Sequence, residues 1–400
     1  MATKLSHIEK LEKRLNKFHY WLLGAIVFLF FVHGALYVIN PLDIYNPSSP
    51  IKLIKYALLF GLFMLGLRGL NYTKLLMLGI LFITMFFFHY FSREIGYGVS
   101  TKSILLGFFG YAFPMLVIPL HKFIKKANYF KIVPIVLALS SLIGYVEYVF
   151  LRGLFEKFSG AGYRVVSIFV NPNNAGILFA IMTYFVLEKI EFNNALKNLL
   201  KGIVILNGIA IIFLTGSKTA LAALVLFLGL HFLKELINNT NKLLTTASKL
   251  LYLGSFVGIA LIAFFEDRVI DKFSTFSLGG DSREMNLNTG RIRLQSAMEF
   301  FERISDNFFY PYRSSMMYID NVYLEMWGDY GILVLILFLS FNIYLFFQCL
   351  KASAVFELSL LFVILVLGLS TNFIYLWPIG YIYWFLAVEI LNKHTKVIKE

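Results

Sequence analysis

Apolar residues in this chain run in long blocks and do not alternate with polar ones. Charge-free blocks cover 18–42, 103–121, 165–187, 202–217, 219–233, 250–265 and 330–350, and weaker ones cover 53–70, 75–92 and 132–151. A helix needs about 20 such residues to cross roughly 30 Å of hydrocarbon. The block 358–388 holds 31 uncharged residues, too many for one upright helix, and Ser370-Thr371-Asn372 offers a break. The block 202–233 is interrupted only at Thr215-Gly216-Ser217-Lys218, which reads as a tight turn. The pattern predicts an all-α polytopic membrane protein of about twelve transmembrane helices. An interfacial amphipathic helix is expected at 1–17, spans one to nine within 18–266 and an extracytoplasmic loop with short helices at 267–328. Spans ten to twelve then fall within 329–391, and a cytoplasmic tail at 392–400.

Composition agrees with a bilayer. Of 400 residues, 59% are hydrophobic and only 15% charged, where a soluble domain has about 25%. That excludes a cytosolic enzyme and a disordered chain. Cys349 is the one cysteine, so an internal disulfide and a multi-cysteine metal cluster are excluded too. The net charge of +13 points to membrane topology and not to nucleic acid, because of where it lies. With the N-terminus inside, 21 of the 36 Lys and Arg residues are cytoplasmic, against 8 in short outer loops. Both termini are therefore expected to be cytoplasmic in an inner (cytoplasmic) membrane. Nearly all inner cations are Lys, whereas nine outer ones are Arg: Arg93, Arg152, Arg164, Arg268, Arg283, Arg291, Arg293, Arg303 and Arg313. Arginine's rigid fork suits phosphate and carboxylate, so its concentration outside suggests anion recognition there; pairing with the loop acids is the plainer alternative.

Three places concentrate candidate chemistry. Gly162-Tyr163-Arg164 precedes Asn171-Pro172-Asn173-Asn174, in which Asn171 and Asn173 read as structural caps of the next span. Arg164 either snorkels to the interface or meets a ligand. Lys218, in Thr215-Gly216-Ser217-Lys218-Thr219-Ala220, sits where exposed amides begin a helix, which favours an anion unless the lysine is only topological. In the long loop, Ala297, Phe300, Phe301 and Ile304 fall at helical spacing and predict a helix over 290–305. Arg291 and Arg293 occupy its first turn, unfavourable to the helix dipole unless an anion completes the site. Further on, Arg313, Tyr318, Asp320, Asn321 and Tyr323 form an aromatic and amide cluster suited to a glycan. A plain interfacial belt, with Asp320 capping a helix, explains the same residues. Glu147 is the one acid clearly inside an apolar run, a functional candidate unless it snorkels to the surface. No metal-spaced carboxylates appear, and neither a metal nor a cofactor is expected.

The order of these features resembles the O-antigen ligase / Wzy-type polymerase superfamily, most strongly over 160–345. The shared elements are Arg before Asn-Pro-Asn, a Thr-x-Ser-basic-x-Ala hairpin, an outer loop with Arg near a helix start, and Asn-x-Tyr-Leu-Glu ahead of a Gly. The resemblance implies a metal-independent glycosyltransferase of the C type that acts at the outer leaflet on undecaprenyl-pyrophosphate-linked oligosaccharide, both donor and acceptor. Membrane lipid surrounds it, and a chain-length regulator protein is a possible partner. It implies pyrophosphate binding by Arg164, Lys218, Arg291 and Arg293, with Arg291 also catalytic. Asp320 stands where the ligases carry His, which favours a polymerase over a ligase and leaves Asp320 as base or sugar ligand. A flippase would call for internal repeats and charges near the bilayer midplane, and the sequence has neither.

Overall fold

The computed structural model describes scattered positions between 28 and 121, then 129–151, 164–169, 171–190, 194–238, 298–304, 308–309, 321–374 and 378–397. Regular structure in these residues is helical, without strands. Helix α1 spans Tyr129–Val146 and runs into a π-helical turn, Glu147–Leu151. A 3₁₀ turn, Ser167–Phe169, leads to α2 at Pro172–Lys189. Next come α3, Ala195–Thr215, and α4, Lys218–Asn238. The C-terminal part holds α5, Val322–Tyr330, α6, Ile332–Lys351, α7, Val355–Leu367, and α8, Ile379–Val397. Among the described residues, Ile132–Phe150, Ala195–Thr215 and Ile332–Lys351 are long and apolar enough to cross a membrane, and α7 supplies a shorter apolar helix. This is a helical membrane protein; its twelve-span count rests largely on residues outside the described set.

Local chemistry moves several helix ends away from the apolar blocks. α2 begins at Pro172 and not at 165, because Asn171 caps it: its side chain accepts from Asn173 N, and proline fills the first position, where no donor is needed. α3 begins seven residues before the block at 202, since Asn194 accepts from Leu196 N. Lys201 does not end that helix. Its amine donates to the carbonyls of Leu187 and Ile190, at 2.9 and 2.6 Å, satisfying the C-terminus of α2. Gly216 ends α3 in the left-handed conformation, φ 56°, with its N–H on Phe213 O. The predicted break at Ser370-Thr371-Asn372 is present, as turns after Leu367.

α2 is the centre of the bundle and packs against α1, α3 and α4. Thr183 of α2 lies directly over Gly208 of α3, where only glycine leaves room. Tyr184 stacks on Phe227 of α4 and Phe356 of α7, with ring centroids 4.4 and 5.4 Å apart. Because α7 starts beside the end of α2, it finishes at the end of the bundle where α2 begins. Asn171, Lys218 and Asn321 therefore share one end of the molecule. The opposite end carries Glu188, bonded to His231 and, at 2.5 Å, to Lys234. α6 and α8 run parallel, joined inside the bundle by Tyr383 Oη donating to Asn342 Oδ1 at 2.9 Å.

Candidate functional site

The two helix starts foreseen at Asn171 and Lys218 meet. A Cβ on Gly176, in the second turn of α2, would lie 2.5 Å from Ala220 Cβ and 2.7 Å from Thr215 Oγ1, so the α3–α4 turn rests directly on glycine. Ser217 is buried and caps α4, its Oγ accepting from Ala220 N at 3.2 Å. Lys218 follows it, exposed. Two helix N-termini thus lie side by side, each carrying the equivalent of about half a positive charge.

Arg164 ties the start of α2 to the end of α3. Its Nε donates to Thr215 O at 2.8 Å and its Nη2 to Asn173 Oδ1, also at 2.8 Å. The first bond offsets the negative C-terminus of α3, and the second ties the guanidinium to the opening turn of α2. Two contacts on a rigid fork fix the orientation of its plane. The pair read from sequence as caps has divided its work: Asn171 caps the helix and Asn173 holds Arg164. Arg164 thus joins its own segment to α2 and α3.

The segment carrying Arg164 is itself held from below. Glu147 is completely buried, so the alternative in which it snorkels is set aside. Its carboxylate accepts from Val166 N at 3.0 Å and from Ser167 N at 2.6 Å. Ser167 adopts a left-handed φ of 52°, a conformation that costs a non-glycine residue about 1–3 kcal/mol. Its hydroxyl donates to Ser140 O at 2.6 Å, and Val165 N donates to Leu214 O at 3.1 Å. Sequence reasoning singled out Glu147 but missed this role, because its partners lie 19 and 20 residues away.

At the same end of the bundle, Asn321 caps α5 by accepting from Tyr323 N and Leu324 N at 3.0 and 3.1 Å, and donates to Leu369 O. The cap is therefore Asn321, not Asp320 as the plainer reading had it. Tyr323 donates its hydroxyl to Leu365 O at 2.6 Å. Both residues thus fasten α5 to the end of α7. Sequence reasoning missed a further pair, Asn372 donating to Glu325 at 2.5 Å. The loop residues 298–304 are helical, matching the later part of the predicted 290–305 helix. Phe300 is their anchor, fully buried with its ring edge-on to Trp327 at 5.9 Å. Arg291, Arg293, Arg313, Tyr318 and Asp320 lie outside the described residues.

The electrostatics of this corner are mixed. Two helix starts, Arg164 and Lys218 supply positive potential, opposed by one helix C-terminus and the buried Glu147. Among the described residues no cluster of three or more His, Cys, Asp or Glu is placed to hold a metal ion. No protein-family model matches the chain, and comparison with curated proteins and with solved structures finds no match.

Proposed function

We propose that this protein is a polysaccharide polymerase that joins undecaprenyl-pyrophosphate-linked repeat units into O-antigen or capsule at the outer leaflet. The observation that carries the reading is Arg164, bridged between the first turn of α2 and the α3–α4 turn where two helix N-termini meet. That arrangement suits the pyrophosphate of a lipid-linked donor. Fixed cations act where charge develops as the bond from the sugar's anomeric carbon to pyrophosphate breaks. The new bond forms to an acceptor hydroxyl, whose proton passes to a base, Asp320 in this reading. Arg291 and Arg293 join the pyrophosphate site, and Arg313, Tyr318, Asn321 and Tyr323 border the glycan.

A deletion strain tests the reading through its surface polysaccharide. A single repeat unit on the surface anchor supports the polymerase. Full-length polymer stranded on the carrier marks a ligase, and loss of all surface repeats marks a flippase. In the complemented strain, Arg164→Ala should lower polymer formation by about 10²–10³, the usual worth of a donor at developing charge. Arg164→Lys should recover only part, since it keeps the charge without the fork.

A further inference from the structure

Glu147 is a buried carboxylate at the head of a π-helical turn, and such turns concentrate at functional sites. Its carboxylate accepts from the backbone of the segment that presents Arg164. We propose that Glu147 is a positioning residue for Arg164: it clamps the amides of Val166 and Ser167, and so sets where the guanidinium faces the anion. This inference rests on the reading of the Arg164 corner as a pyrophosphate site.

The geometry supports a clamp in three ways. Three hydrogen bonds from two consecutive amides fill both carboxylate oxygens, at 3.0, 3.2 and 2.6 Å. The clamped Ser167 is in a left-handed conformation that needs support from outside the segment. On the other side of Arg164, Thr215 O and Asn173 receive its guanidinium, so a shift of the backbone strains two bonds at 2.8 Å. An amide in place of the carboxylate sets an NH₂ against one of the N–H donors, and the segment must move.

The sign of the effect separates positioning from charge. A carboxylate beside an anion site repels the anion, so by Coulomb's law alone its neutralisation tightens binding. Positioning predicts the reverse. The test measures inorganic pyrophosphate binding to the purified full-length protein in detergent by calorimetry, with thermal melting as the fold control. Glu147→Gln is expected to weaken binding by about tenfold, the worth of one hydrogen bond to a charged group. Glu147→Asp keeps the charge but retracts the carboxylate, and is expected to weaken binding too. In an Arg164→Ala background, Glu147→Gln should add no further loss, the mark of action through that residue. Folded Glu147→Gln protein that binds as well as wild type, or better, overturns the proposal. So does a tenfold loss that persists without Arg164. If Glu147→Gln fails to fold, Glu147→Asp decides in the same way. Wild-type protein that binds no pyrophosphate overturns the anion-site reading and this inference together, whereas normal wild-type binding that Arg164→Ala weakens leaves the first standing whatever Glu147 does.

Discussion

A methyl group at Gly176 would meet Ala220 Cβ at 2.5 Å and Thr215 Oγ1 at 2.7 Å, and neither atom is the end of a flexible side chain. Gly176→Ala should therefore cost about 1–3 kcal/mol through overpacking. Gly202→Ala in α3 meets nothing within 4 Å and should be neutral or stabilising by up to about 1 kcal/mol from helix propensity. Melting temperatures of the two purified variants should move apart, and equal shifts would contradict the close approach of α2 and the α3–α4 turn. Local features of this kind differ in how readily a sequence shows them. Asn171-Pro172 was legible as a helix start because cap and capped amide are two residues apart. Glu147 was legible only as an anomaly, because its amide partners lie 19 and 20 residues along the chain, beyond the reach of helical periodicity. Asn321 was placed with Asp320 in a sugar-contacting cluster; a cap one position later fits the same residues, and spacing alone does not choose between neighbours.

Between elements, polar bonds do what lipid-like apolar surfaces cannot, since packing against a helix differs little from packing against acyl chains. Asn321 and Tyr323 join α5 to α7. Tyr323→Phe should cost about 1 kcal/mol for its bond to Leu365 O, and Asn321→Ala about 0.5–2 kcal/mol for the lost cap. Proteolysis of the α5–α7 region is a direct readout: faster cleavage is expected in both variants. At the other end of the bundle, Glu188 joins α2 to α4, one residue beyond the apolar block 165–187. Burial alone would raise its pKa, but hydrogen bonds from His231 and Lys234, with their charges, hold it below the ordinary carboxylate value. A depressed folded pKa contributes stability above the ordinary carboxylate range, and that stability is lost as pH falls through the folded value. The wild-type melting temperature should accordingly drop between about pH 6 and pH 3 more steeply than that of Glu188→Gln, which starts lower at neutral pH. Parallel curves would remove the Glu188 cluster as an acid-sensitive link.

For the whole molecule, the charge bias of the sequence makes a topological prediction. Reporter fusions at Asn288 and at the C-terminus should lie on opposite sides of the membrane, and the same side for both would contradict the expected orientation. The bundle agrees with one part of that pattern, since Arg164, Lys218 and Asn321 gather at one end. The apolar blocks forecast the class of fold well, because crossing a bilayer leaves few alternatives to a helix. They did not forecast how the bundle closes. His121 is buried and bonds to Glu389 of α8 at 2.8 Å and to Asn392 at 3.3 Å. These partners are separated by 268 and 271 residues of chain. His121 is synthesised long before α8, and until α8 follows it has neither of these partners. The ribosome thus finishes the chain before the bundle has its closing contact. A translation arrest before α8 would leave His121 without both bonds, the kind of unfinished polar contact that membrane quality-control proteases engage.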